Sequence, residues 1–177
     1  MRGGGRPLPG GARIDLGDAG APIRVDRSRV RRTVHTALRA LGRPRHSVSL
    51  TLVGDRTIRR LNRQYRGTDR VTDVLAFPME DHPRLPAPLL GEVVVSVQAA
   101  HRQAREHGHA AAAEIDLLVI HGLLHLVGYD DQTPLEARLM HEREMAILGR
   151  LYRRPAPSLR VGPVRQSQHR VNEERQG

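Results

Sequence analysis

Two histidines four residues apart, His121 and His125, and an aspartate six residues further on, Asp131, are the residues of this chain best placed for chemistry. On an α-helix of 3.6 residues per turn, positions i and i+4 share a face one turn apart. Two imidazoles so placed reach one metal ion. Gly128 then ends the helix and turns the chain back, so that Asp131 can add an oxygen ligand. Three protein ligands and one open position make the plan of a catalytic zinc site, in which the ion lowers the pKa of water toward about 7. Residue types alone leave a second reading open, in which these are two ordinary core or surface histidines. Their setting weighs toward ligands, because they interrupt the most apolar stretch of the chain, where a buried polar group is costly unless paired. Position 122 is glycine. A zinc peptidase of the His-Glu-x-x-His type carries its general base there, so peptide hydrolysis of that type is not expected.

These residues need elements to position them. The Ala-rich, apolar segment from Ala110 to Val127 predicts a buried helix, with Gly128 as its C-cap. Thr133, Pro134 and Glu136 form a capping-box signature for a last helix running to about Leu151. Upstream, Val30, Val34, Leu38 and Leu41 recur at helical spacing, with Asp26 or Ser28 as cap and Gly42 as stop. Val48, Leu50 and Leu52 alternate with Ser47, Ser49 and Thr51, a strand with one buried face. Asp55 reads as the cap of a short helix carrying Ile58, Leu61 and Tyr65 on one side. Val74 to Phe77, ended by Pro78, reads as an edge or terminal strand. Residues 81–90 read as a loop, Glu92 to Val97 as a further strand, and Ala99 to Glu106 as a helix stopped near Gly108. The expected fold is α+β: a small mixed sheet packed with about five helices, the central apolar helix carrying the metal ligands. The expected organisation is a disordered extension over residues 1–22, a domain over 23–152, and a disordered Arg/Pro-rich tail over 153–177.

Bulk composition excludes several classes. The 177 residues suit one domain with tails. The absence of cysteine removes disulfides and thiolate metal sites, so a metal must use His, Asp or Glu. No apolar run reaches the ~18–20 residues of a membrane helix, and Met1 to Gly20 lacks the apolar stretch of a signal peptide, so a cytoplasmic protein is expected. The net charge of +10 suits a polyanionic partner, RNA above all. Residues 150–177 contribute seven arginines against Glu173 and Glu174, so much of that excess sits on a short tail and is weak support for a binding groove. His101, His107, His109 and His141 are not expected to be ligands, and His107 and His109, flanking Gly108, read as solvated.

The run His121-Gly-Leu-Leu-His125-Leu-Val-Gly128-Tyr129-Asp130 resembles the His-Gly-x-Leu-His-Leu-x-Gly-Tyr-Asp-His signature of the YbeY endoribonucleases, also called ribosomal RNA maturation factors. Leu61-Asn62-x-x-Tyr65-Arg66-Gly67-x-Asp69-x-x-Thr72-Asp73-Val74-Leu75-x-Phe77-Pro78 resembles a second family stretch. Leu90-Gly91-Glu92-Val93-Val94-Val95-Ser96 resembles a third, which usually reads Gly-Asp-Ile. Together they span about residues 25–150. The resemblance implies a metal-dependent, single-strand-directed endoribonuclease, with roles in 16S rRNA 3′-end maturation and ribosome quality control. Its partners would be ribosomal RNA precursor and the small ribosomal subunit, with neither membrane nor DNA. It implies one zinc ion held by His121, His125 and Asp131, with Arg66, His121 and His125 as catalytic residues. The family has histidine where this chain has Asp131. The added negative charge should make water at the ion less acidic, and favours a harder ion such as manganese. Arg66 would bind the scissile phosphate through its planar fork, or else pair with Asp69 or Asp73. Asp130 would orient a ligand or cap the turn, and Tyr129 would contact RNA or pack. The alternative function is a non-catalytic ribosome-assembly protein with a structural metal.

Overall fold

A computed structural model describes residues 14–19, 23–79 and 88–153. Four strands and five helices follow in the order β1 (Ile14–Ala19), α1 (Arg27–Ala40), β2 (Ser47–Val53), α2 (Asp55–Arg66), β3 (Val74–Pro78), β4 (Leu89–Ser96), α3 (Val97–His107), α4 (Ala111–Leu126) and α5 (Pro134–Tyr152). The strands form one sheet in the order β1-β2-β4-β3. β1 and β4 flank β2 in parallel, and β3 runs antiparallel to β4. The fold is therefore α+β with a small mixed sheet, as expected.

Alternation along the strands divides the apolar side chains between two layers. Val48, Leu50, Leu52, Val74, Ala76, Val93 and Val95 face the main core with α1, α4 and α5. Val53, Leu75 and Val94 face the opposite way and pack with Ile58 of α2, flanked by Leu61 and Phe77. The polar-looking face of β2 is therefore covered as well. Ser47 is buried and Ser49 and Thr51 are half-buried, which corrects the expectation of one buried face. α4 crosses the main layer. Ile120, Leu123 and Leu124 are almost completely buried there, each contributing roughly 1.5–3 kcal/mol of apolar burial. That gain lets the same helix carry three buried polar residues, Glu114, Asp116 and His125, and half-buried His121.

Several expectations shift at the edges. Residues 14–19, placed in a disordered extension, form a strand whose register runs from Ile14 opposite Val48 to Ala19 opposite Val53. Its Gly- and Asp-containing sequence has little strand propensity, and pairing along β2 overrides it. The rest of residues 1–22, residues 80–87, where most of the expected loop of residues 81–90 falls, and residues 154–177 lie outside the described residues. Gly54, not Asp55, occupies the N-cap of α2. The Asp55 carboxylate instead accepts from Ser96 Oγ at 2.7 Å and from Arg102. Gly128 lies one residue past the C-cap of α4, which is Val127. α5 begins as predicted, with Thr133 and Glu136 in a reciprocal capping box and Pro134 in the first turn.

Candidate metal centre

The last two turns of α4 carry His121 and His125, and the loop after them carries Asp131. Gly122 lets this helix approach the sheet closely: a Cβ there would lie 2.5 Å from Val93 Cγ1 and 3.2 Å from Val74 Cγ2. Gly128, at φ +93°, takes the left-handed conformation that reverses the chain toward Asp131.

The Nε2 atoms of His121 and His125 face each other at 3.0 Å. Their outer nitrogens are committed elsewhere. His125 Nδ1 donates to the Tyr129 carbonyl at 3.0 Å, and His121 Nδ1 donates to Glu144 Oε1 of α5 at 2.7 Å. A carbonyl and a carboxylate only accept, so both Nδ1 atoms carry protons and both Nε2 lone pairs turn inward. Such an arrangement is repulsive until a cation, either a proton or a metal ion, lies between the rings. Asp131 completes the group, with one ligand atom from each of the three residues within 4.8 Å of the others. Its Oδ1 is buried without a hydrogen-bond partner among the described residues. The donor set of two inward imidazole nitrogens and an unpaired buried carboxylate oxygen fits a divalent ion of the zinc class.

The electrostatics agree. Burial pushes Asp131 above the usual carboxylate range, and Asp130 and Glu144 add to this against the opposing pull of His121. Burial would lower His121, but the hydrogen bond and charge of Glu144, with Asp73 and Asp131 nearby, hold it above its ordinary value. Glu144, only 3% exposed, is raised by burial, but the hydrogen bonds from His121 and His141 outweigh this and keep it below the usual range. The site is thus a largely buried cluster of carboxylates around two imidazoles.

Arg66, at the C-terminus of α2, is half-buried. Burial lowers its pKa and the charge of Asp131 opposes that, which places the guanidinium within electrostatic reach of the cluster. Its suggested alternative partners both carry contacts with other groups. Asp69 takes a two-pronged contact from Arg59 at 2.8 and 2.9 Å. Asp73 accepts from Gln103 Nε2 and from the Val74 amide, both at 2.8 Å. Asp130 accepts the Asp131 amide at 2.8 Å, a turn-capping contact, and Tyr129 packs against the main core. Sequence reasoning missed Glu144. Its signal was a charged residue on the buried stripe of α5 formed by Met140, Ile147 and Leu148. The expectation that His107 and His109 are solvated is also corrected. The His109 side chain is 11% exposed and lies 2.9 Å from buried Glu114.

An α+β domain whose central helix ends in a His-His-Asp cluster able to hold a divalent ion defines the class of protein. Residues 19–152 match the family model described as Endoribonuclease YbeY. The Endoribonuclease YbeY of Anaeromyxobacter sp. (strain Fw109-5) is 49% identical over 116 residues, covering 66% of this chain and 60% of that protein. The protein of the same name from Pelotomaculum thermopropionicum is 49% identical over 108 residues, covering 59% and 71%. The solution structure of TM1509 from Thermotoga maritima matches with a TM-score of 0.54 at 27% identity, covering 82% of this chain and 94% of that one. This chain belongs to the YbeY endoribonuclease family. It spans 60% of the length of the Anaeromyxobacter relatives it matches. Among the described residues, no single helix is long and apolar enough to cross a membrane.

Proposed function

We propose that this chain is a metal-dependent, single-strand-directed endoribonuclease that acts in 16S rRNA 3′-end maturation and ribosome quality control. The carrying observation is the pair of inward Nε2 lone pairs at 3.0 Å beside the unpartnered Asp131 Oδ1. His121, His125 and Asp131 hold the ion, with zinc first and a harder ion such as manganese favoured by the carboxylate. A bound divalent ion supplies Lewis-acid chemistry, polarising phosphoryl oxygen and acidifying water. Glu144 and the Tyr129 carbonyl fix the two rings. Arg66 binds the scissile phosphate, where its fork meets two oxygens at once. The hydrolase domain is residues 23–152, with β1 (Ile14–Ala19) completing its sheet. The arginine excess draws in the RNA backbone, and the chain works in the cytoplasm on ribosomal RNA precursor and the small subunit.

The alternative, a ribosome-assembly protein with a structural metal, calls for a closed coordination shell. Among the described residues the cluster has three ligands, and the nearby carboxylates are engaged: Glu144 with His121 and Asp130 with the Asp131 amide. This favours catalysis.

The test is metal content and cleavage of single-stranded RNA by tag-free protein. Asp131→Ala should lose or weaken the ion and abolish cleavage. Arg66→Ala should keep the ion and lose about 10²-fold in turnover, the usual cost of deleting one positioned donor. Metal-loaded wild type that binds ribosomal particles but leaves RNA intact would establish the structural-metal alternative.

A further inference from the structure

A second cluster lies at the turn from α3 to α4. His107 is the last residue of α3, Gly108 turns the chain, His109 follows, and Glu114 sits in the first turn of α4. One ligand atom from each of His107, His109 and Glu114 lies within 4.8 Å of the others. His109 Nε2 and Glu114 Oε2 approach to 2.9 Å. Those two atoms and His107 Nδ1 are all buried without a hydrogen-bond partner among the described residues. Glu114 is 3% exposed, and burial first, then the negative charges of Asp73 and Glu144, push its carboxyl up to about 7. Such unpaired groups call for a partner, and the field there is one that a cation would satisfy. His109 Nδ1 faces the Ala110 carbonyl at 3.4 Å, which favours the tautomer with the Nε2 lone pair directed at the cluster.

We infer that His107, His109 and Glu114 form a second divalent-cation site of the zinc class, separate from that of His121, His125 and Asp131. Two imidazoles and one carboxylate are a donor set for zinc, cobalt or nickel. Glu114 and His121 are two turns apart on α4, a rise of roughly 10.5 Å. Paired catalytic ions sit only about 3.5–4 Å apart, so this ion takes no part in a two-metal reaction. It fastens the α3–α4 turn to the first turn of the helix that carries the first site.

The test is zinc stoichiometry and affinity of the tag-free full chain, stripped of metal and titrated against a chromophoric chelator, with melting curves alongside. The wild type should take two zinc ions, His121→Asn one, His107→Asn one, and the double variant none. Glu114→Gln, which keeps the shape and removes the charge, should weaken the second ion by at least the roughly 10–100-fold that even an outer-shell change costs. Zinc should raise the melting temperature of His121→Asn and leave that of the double variant unmoved. The inference is overturned if folded His121→Asn takes no zinc, or if His107→Asn and Glu114→Gln leave its remaining ion unchanged. A chain that takes one zinc, removed by His107→Asn and kept by His121→Asn, would uphold this site and overturn the first.

Discussion

At the scale of single residues, what suits His121 and His125 to act as a ligand pair is what holds their outer nitrogens. The Tyr129 carbonyl is fixed by the backbone, so His125 keeps its tautomer under most substitutions. His121 depends on one side chain, Glu144, reached across from α5 at 2.7 Å. Glu144→Gln leaves a group of the same shape able to accept from Nδ1, but removes the charge that makes the imidazole a stronger donor to a cation. Zinc affinity should fall about 10–100-fold while the fold is retained, measured by chelator competition with circular dichroism as control. An unchanged affinity would show that Glu144 serves packing alone. His121, His125 and Asp131 were legible in the sequence because local spacing and one turn bring them together. Glu144 was not, because its pairing depends on how two helices dock.

At the scale of elements, α4 was the most legible, since an apolar run without breakers until Gly122 has few other solutions. What Glu114 and Asp116 within it approach, on α1, on α5 and at the α3–α4 turn, was not legible, because it depends on how the elements dock. β1 was the least legible, because its partner β2 supplies the order that its own residues do not. The docking of α4 gives a direct prediction. Gly122 sits against the valines of β4 and β3, and a methyl group there meets Val93 Cγ1 at 2.5 Å. Val93 is fully buried and has little room to yield. Gly122→Ala gains helix propensity, roughly 1 kcal/mol, but overpacking of a filled core costs about 1–3 kcal/mol. The net should be destabilising by up to about 2 kcal/mol, read as a lower urea midpoint. Because the shift displaces His121 from Glu144, zinc affinity should fall with it. A stabilised variant would mean that the helix rides further from the sheet.

At the scale of the whole molecule, three helices distant in sequence are joined by one buried carboxylate. Asp116 of α4, with no exposure, accepts from Arg29 at 2.9 and 2.7 Å, from Thr33 at 2.6 Å and from Tyr152 at 2.7 Å. α1 and α5 are thereby tied to the helix that carries His121 and His125. The tie has a pH signature. Burial, together with the hydrogen bond to Asp116 and its charge, pushes the Tyr152 hydroxyl up to about 12. An unfolded tyrosine ionises near 10. Between those values the folded chain keeps a proton that the unfolded chain has released, so stability contributed by Tyr152 is fully present below pH ~10 and is lost as pH rises toward ~12. Tyr152→Phe deletes both the hydrogen bond and the titration. At pH 8 it should be less stable than wild type by about 1 kcal/mol. Above pH 10 the gap should close, because the wild type pays to keep Tyr152 protonated and the variant does not. Urea midpoints of both proteins from pH 8 to 11.5 measure this. A gap that stays constant across the range would show that Tyr152 does not donate to Asp116 in solution, and that α5 is held to α4 by apolar packing and the His121–Glu144 contact instead.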